Sequence, residues 1–324
     1  MTAGTQTGSA VRLAGAELSA EIRARVSASV AALTKAGRAP RLAVVVATRD
    51  ESTAWYVRSI AGAASKVGIV CDIVDLGDTV DGEEIQAALR RLSADRSVHG
   101  VILQTPLPVG VSFARAASAI DPAKDVDGVN PVSLGRLAAG LPAFPPATAQ
   151  AVVALLEHYD EPIAGRNAVV VGRSTVVGKP LAHLLLDRDA TVTVCHSRTP
   201  NLVEATTRAD ILIAAVGRAG LIGKEHVRPD AVVIDVGTNA ADDGGLRGDV
   251  DPAVEGHVAA LTPVPGGVGP VTTALLLEHT VRAAEEGASR QGPRACASSS
   301  STSPRVTGPS GTCWAVRART WRRW

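Results

Sequence analysis

Two kinds of hydrophobic pattern alternate along the first hundred residues. RLAVVVA, at 41 to 47, is a continuous β-branched run, the pattern of a strand buried on both faces of a parallel sheet. Before it, LSAEIRARVSASVAALTKAG (18 to 37) has apolar positions at helical spacing and stops at Gly37, which predicts a helix with a glycine end. ESTAWYVRSIAGAASK (51 to 66) predicts a second helix, with Ser52 or Thr53 as N-cap and with Tyr56 and Ile60 on one face. IVCDIVDL (69 to 76), GEEIQAALRRLSAD (82 to 95) and VHGVILQ (98 to 104) continue as strand, helix and strand. Such alternation is the signature of βαβ units.

The prolines of LPAFPPA (141 to 147) interrupt the pattern, and a helix, TAQAVVALLEHY (148 to 159), leads away from them. A second series follows: strand NAVVVG (167 to 172), helix KPLAHLLLDR (179 to 188), and strands TVTVCH (191 to 196), DILIAAVG (210 to 217) and AVVIDVG (231 to 237). A Pro/Gly loop and an apolar helix close it at 261 to 286. The expectation is an α/β protein of two domains with a cleft between them.

Composition changes little except at the end of the chain. Of 324 residues, 46% are hydrophobic and 20% charged, ordinary for a globular protein. The formal net charge of +1 hides an asymmetry, because residues 287 to 324 hold seven Arg and no acid, so the rest carries 26 basic against 32 acidic side chains. That end reads as a disordered basic tail. The acidic remainder predicts no nucleic-acid partner. Cys71, Cys195, Cys296 and Cys313 have no metal-ligand or disulfide spacing, and no two His residues do, so no metal site is expected. With neither an export signal nor a long apolar span, the expectation is a cytoplasmic protein with no membrane partner.

Candidate chemistry concentrates at strand ends. In AVVVGRSTVVGKPLAHLLL a strand runs into a loop bounded by Gly172 and Gly178, then into a helix with Pro180 in its first turn. Such a turn presents backbone N–H groups and a helix dipole to a pyrophosphate, although the same spacing also describes a plain tight turn. The next strand ends in CHSRT, where an NAD enzyme would place an acid on the ribose. Ser197 and Arg198 stand there instead, with Arg173 in the loop, a combination that suits the 2′-phosphate of NADP. In the first half, Gln104 closes VILQTPLP and Asp125 and Asp127 occupy the turn KDVDG, where an open α/β sheet places its ligand.

In order, VILQTPLP (101 to 108), KDVDG (124 to 128), VVGRSTVVGKP (170 to 180), VIDVGTN (233 to 239), RGDVD (247 to 251) and TPVPGGVGP (262 to 270) resemble the bifunctional methylenetetrahydrofolate dehydrogenase/cyclohydrolase family. The resemblance covers roughly residues 11 to 286. It implies a folate-binding catalytic domain (11 to 147) completed by a returning helix (271 to 286), and an NADP-binding Rossmann domain (148 to 270). It also implies a homodimer acting on tetrahydrofolate derivatives in one-carbon metabolism. Tyr56 matches the tyrosine that stacks on the aminobenzoyl ring, Gln104 a glutamine of the catalytic cluster, and Asp127 the aspartate that holds the pterin. Gly172, Arg173, Ser174, Gly178, Ser197, Arg198 and Thr238 fall at cofactor positions, and Pro265, Gly266 and Gly267 at substrate positions.

The chain departs from that pattern where the second reaction needs a base. The family carries a lysine four residues after the tyrosine, and here the segment reads YVRSI, with Ile60 in that place. Isoleucine neither donates, accepts nor carries charge. Arg58 points about 200° away around the helix, and Lys66 is six positions on. Further departures are Ala147, Ala149 and Ala151 in PATAQA, Thr48 after the first strand, Thr105 after the glutamine, and Thr238 in DVGTN. The expectation is NADP-dependent oxidation of 5,10-methylenetetrahydrofolate, with hydrolysis to 10-formyltetrahydrofolate weak or lost. The alternatives are a fully bifunctional enzyme and a noncatalytic NADP- or folate-binding paralogue.

Overall fold

The computed structural model of the chain describes residues 10–241 and 245–289. The arginine-rich segment read above as a tail falls, from residue 290 on, outside the described residues. Its first three residues, 287–289, instead continue the last helix.

The first half builds a small parallel sheet. Strand β1 (Val11–Arg12) and helix α1 (Ala16–Lys35) precede β2 (Arg41–Val46), α2 (Glu51–Lys66), β3 (Val70–Asp75), α3 (Gly82–Ala94) and β4 (Gly100–Leu103). The sheet has the order β3-β2-β4, and the register pairs Val44 with Ile73 and with Ile102. Central β2 is buried from Leu42 to Val46, as its unbroken apolar run requires. Edge strand β3 leaves Val70 and Ile73 each 47% exposed. Two short helices, α4 (Phe113–Ala117) and α5 (Pro131–Ala138), follow the sheet and have no periodic signal of their own. Helix α2 starts two or three residues earlier than the hydroxyl pattern suggests. Asp50 is its N-cap, accepting from the Thr53 N–H at 2.7 Å, because a carboxylate is both the stronger acceptor and the better charge for a helix N-terminus.

Helix α6 (Ala147–His158) crosses to the second sheet, built from β5 (Asn167–Val171), β6 (Thr191–Cys195), β7 (Ile211–Ala214) and β8 (Val232–Asp235), with helices α7 (Gly178–Leu186) and α8 (Leu202–Thr206) between them. A hairpin of β9 (Asn239–Ala240) and β10 (Leu246–Arg247), strand β11 (Ala260–Leu261) and helix α9 (Val268–Ser289) complete the fold. The larger sheet is parallel, in the order β1-β11-β8-β7-β5-β6. Strand β1, placed by sequence with the first half, pairs with β11 (Val11 with Ala260) at the edge of this larger sheet. Two residues carry no periodicity, so only the neighbour decides where they pair.

Helices α1, α6 and α9 pack on one another between the sheets, and α9 also reaches α2 and β4. One apolar core therefore runs from Leu42 and Ile102, through Leu155, Leu156 and Leu277, to Val170 and Ile213. Leu155 and Leu277 are each fully buried, a state that contributes roughly 1.5–3 kcal/mol per side chain. The returning helix thus packs on α1, α6, α2 and β4, close to the strand ends of the first sheet that carry candidate chemistry.

Candidate active site

On the first sheet, the site is assembled at the carboxyl end of β4 and the start of α2. Thr53, 6% exposed, places its hydroxyl 2.8 Å from the Asp50 carboxylate and 3.2 Å from the Thr105 carbonyl, fastening α2 to the residues after β4. Gln104 Nε2 donates to the same carbonyl at 3.3 Å. One turn along α2 from Thr53, half-buried Tyr56 lies beside the side chain of Thr273 in α9, which acts on its phenol. Burial and the neighbouring Asp127 carboxylate hold the Tyr56 phenol well above its ordinary range, against the opposing pull of Thr273. Tyr56, Asp127 and Thr273, separated widely in sequence, are thus brought together.

The two acids of KDVDG have different fates. Asp125 is fully buried and accepts from the N–H groups of Val129 (3.0 Å) and Asn130 (2.9 Å), so it staples its own turn. Asp127 lies close enough to Tyr56 to raise its phenol, and it sits near the backbone of Ala147 at the start of α6. Burial pushes its carboxyl up to about 7, Asp125 adds to the shift, and the Ala147 backbone opposes it. Immediately after Asp127, Gly128 has φ +64°, and a Cβ there would lie 2.5 Å from the Phe144 carbonyl oxygen and from Pro146 N. Only glycine lets the turn lie flat against the 144–146 segment.

Ile60, one turn beyond Tyr56 on the same face, is fully buried within the apolar core. Position 60 is thus sealed with hydrocarbon.

On the second sheet, β5 and β6 end side by side, with Val171 opposite Cys195. The loops that leave them, 172–178 and 196–199, are therefore neighbours. A Cβ on Gly178 would collide with the Gly172 carbonyl oxygen, so this glycine exists to let α7 start against the strand end. Ser174 Oγ accepts from the Val177 N–H at 3.1 Å and shapes the loop. Arg173, Ser174, Ser197 and Arg198 are exposed. His196 holds their neighbouring turn: its N–H donates to Thr199 Oγ1 at 2.9 Å, and its Nδ1 accepts from the Arg198 N–H at 3.1 Å. These residues fit NADP: a flat glycine turn for the pyrophosphate, then hydroxyls and guanidiniums, with no acid, where a 2′-phosphate arrives. Thr238 is exposed beyond β8, and Pro265–Gly267 form the loop into α9, with the Gly266 carbonyl accepting from the Gly15 N–H at 2.8 Å.

Several residues that sequence reasoning left without a role organise these loops. Asp249, fully buried, accepts from the N–H groups of Val216 (2.6 Å), Gly217 (3.0 Å) and Arg218 (2.8 Å), and from Asn239 Nδ2 (2.9 Å). It thereby shapes the loop after β7, beside the Gly172 turn. Asp235 accepts from the N–H groups of Gly237 and Asp249 (each 2.9 Å) and Val250 (3.0 Å), and burial pushes its carboxyl up to about 6. A cavity of about 630 Å³ lies beyond Asp235, bordered by Arg12, Arg247, Thr262 and Val264, and none of the sequence candidates lines it. Thr273, Gln150 and His279 had no signal beyond their place in apolar helices. Among the described residues no group of three or more His, Cys, Asp or Glu is arranged to hold a metal ion, and no helix is long and apolar enough to cross a membrane.

A parallel sheet with a glycine-bounded turn, joined by shared helices to a second parallel sheet that carries its own polar cleft, defines a two-domain nucleotide-dependent dehydrogenase. Family models match both halves: the tetrahydrofolate dehydrogenase/cyclohydrolase catalytic domain over residues 13–127, and its NAD(P)-binding domain over 146–288. The chain belongs to the tetrahydrofolate dehydrogenase/cyclohydrolase family. It is 66% identical over 273 residues to "Bifunctional protein FolD 1" of Saccharopolyspora erythraea, covering 84% of this chain and 93% of that protein. Among solved structures it resembles the FolD enzyme of Campylobacter jejuni (37% identity, TM-score 0.82, 85% and 99% of the two chains). It also resembles that of Trypanosoma brucei, solved with NADP cofactor and an inhibitor (35% identity, TM-score 0.82, 87% and 99%).

Proposed function

We propose that the protein is an NADP-dependent 5,10-methylenetetrahydrofolate dehydrogenase in which hydrolysis of the methenyl product is weak or absent. The observation that carries this reading is the pairing of Tyr56 with Asp127 at a cleft whose next helical turn presents only buried Ile60. In this reading Tyr56 stacks on the aminobenzoyl ring, Asp127 holds the pterin, Gln104 faces the reacting bridge, and Pro265, Gly266 and Gly267 line the substrate side. The Gly172–Gly178 turn receives the pyrophosphate, Arg173, Ser174, Ser197 and Arg198 the 2′-phosphate, and Thr238 borders the cofactor. The catalytic domain is residues 11 to 147 with the returning helix 271 to 286, and the nucleotide domain is 148 to 270.

The two reactions ask different things of these side chains. Bound NADP supplies the acceptor for the hydride that leaves the methylene carbon. The protein's part is orientation, which by itself contributes on the order of 7–11 kcal/mol to a barrier when reacting atoms are held near contact. No acid or base is needed. Hydrolysis adds water to the methenyl carbon, takes a proton from that water, breaks a C–N bond and returns a proton to nitrogen. This proton traffic requires a titrating group, and Ile60 has none. One observation favours a fully bifunctional enzyme instead: the Asp127 carboxyl, raised to about 7 beside Tyr56, titrates where a proton carrier works best.

A two-step assay decides. The purified protein is given 5,10-methylenetetrahydrofolate with NADP or NAD, and methenyl absorbance and 10-formyl product are followed separately. NADP-dependent methenyl accumulation with little 10-formyl product is expected. Rapid hydrolysis would establish the bifunctional reading, and no turnover despite NADP binding would establish a noncatalytic paralogue. The assembly expected is a cytoplasmic homodimer, which light scattering on the eluted protein checks.

A further inference from the structure

His279 lies in the middle of α9, 2% exposed, and none of the roles above uses it. Both ring nitrogens are engaged: Nδ1 stands 2.7 Å from the Val126 carbonyl oxygen and Nε2 stands 2.8 Å from the side-chain oxygen of Gln150. Val126 precedes Asp127. Gln150 lies three residues along α6 from Ala147, which follows directly on the 144–146 segment against which Gly128, the neighbour of Asp127, is pressed. The ring also packs on Phe144, with centroids 5.1 Å apart, in the segment against which Gly128 is pressed. On the far side of Phe144, Arg282 lies 4.1 Å above the ring and donates to the Ala143 carbonyl at 3.3 Å. One imidazole therefore touches all three segments that fix Asp127: its own turn, the 143–146 segment and the start of α6.

The protonation state follows from burial, which pushes the imidazole down to about 4, so the ring is neutral at pH 7. A carbonyl only accepts, so the one proton sits on Nδ1 and is donated to Val126. Nε2 is then an acceptor, and the Gln150 amide satisfies it by turning its NH₂ towards the ring, since the oxygen and nitrogen ends of an amide occupy equivalent positions.

We infer that His279, through Gln150 and the Val126 carbonyl, is a positioning residue that holds Asp127 against Tyr56 and so sets affinity for the folate rather than for the nucleotide. This rests on the assignment of the Tyr56–Asp127 cleft to the folate. The geometry supports the division of labour, because Thr273, which lies beside Tyr56, belongs to the same helix as His279. Both walls of the cleft are thus referenced to α9. The loops at 172–178 and 196–199 have no bond to His279 among the contacts described.

The test compares His279→Ala, His279→Asn and Gln150→Leu with the wild type. Readouts are KM for 5,10-methylenetetrahydrofolate, KM for NADP, and calorimetric binding of 5-formyltetrahydrofolate, a nonreacting folate. His279→Ala is expected to raise the folate KM and weaken 5-formyltetrahydrofolate binding about tenfold, the loss of one buried hydrogen bond, with the NADP KM unchanged. His279→Asn keeps a donor near the Nδ1 position and should recover most of the loss, and Gln150→Leu should fall between. The asparagine and leucine variants preserve bulk, so the comparison stands even if the alanine variant fails to fold. Equal shifts in both KM values, or an asparagine variant no better than alanine, would mean a merely structural residue and overturn the inference. So would folate affinity within twofold of wild type in every folded variant. A wild type that neither binds nor oxidises the folate overturns the functional reading and this inference together, whereas an active wild type isolates the inference.

Discussion

Replacing Ile60 with lysine separates the two half-reactions. Ile60 has 0% exposure and packs with Val57 and Ala64 on the inner face of α2. Exchanging its buried hydrocarbon for a lysine forfeits roughly 1.5–3 kcal/mol of apolar burial. The ammonium cannot remain in that core unpaired, so the four-carbon stem must carry it along the helix face towards Tyr56 and Gln104. A total destabilisation of about 2–4 kcal/mol leaves a typical domain of 5–15 kcal/mol folded. In return the cleft acquires a proton carrier, and positioned acid–base groups typically contribute about 10²–10⁴-fold. We expect Ile60→Lys to lower the melting temperature, to raise 10-formyltetrahydrofolate production at least about tenfold, and to leave hydride transfer within about threefold, since orientation governs that step. Ile60→Met is the control: a volume-conserving change costing less than about 1.5 kcal/mol, with no gain in hydrolysis. A folded lysine variant without increased hydrolysis, or one in which both rates rise together, would refute the reasoning.

Other perturbations test the remaining parts of the site. Because the folded Asp127 carboxyl titrates near 7 and its reference is 3.8, folding takes up a proton between those values. The Asp127 contribution to stability is therefore most favourable below about pH 4, declines as pH rises to about 7 and is flat above, by at most ~4 kcal/mol. Asp127→Asn should flatten that slope in pH-dependent melting while abolishing folate binding, and an unchanged slope would show that Asp127 is charged throughout. Gly178→Ala drives a methyl into the Gly172 carbonyl, so NADP affinity should fall by an order of magnitude or more in calorimetry, with about 1–3 kcal/mol lost from stability. Exposed Arg198 is expected to serve the 2′-phosphate alone. Arg198→Ala should thus raise the NADP KM about tenfold, the worth of a charge-assisted hydrogen bond, and leave the NAD KM in place.

Legibility differed by element. β2 was readable because only burial on both faces tolerates five consecutive apolar positions, and β5 and β8 for the same reason. Helices α1 and α3 declared themselves by periodicity, α1 also by its stop at Gly37, whereas the Asp81 cap of α3 emerged only from the structure. The N-cap of α2 was misplaced by two or three residues because Asp50, Ser52 and Thr53 are all plausible acceptors, and the inward turn of Thr53 towards the Thr105 carbonyl settles which one caps. At the site, Gly172 and Gly178 were visible by spacing. Their reason, a close approach of α7 to the strand end, was not.

By itself the sequence determined the two parallel sheets, the glycine turn, the absence of an acid at the end of β6 and an uncharged isoleucine one helical turn after Tyr56. Each is a property of residue type at a local spacing, and local spacing is what hydrophobic period, turn chemistry and charge encode. Only the tertiary structure decided that Asp125 staples its turn while Asp127 faces Tyr56, that β1 belongs to the larger sheet, that Asp249 gathers the loop after β7, and that His279 reaches Val126 across 153 positions of chain. His279 and Val126 meet because α9 returns to the first sheet. A hydrogen bond between segments that distant leaves no periodic trace in either of them.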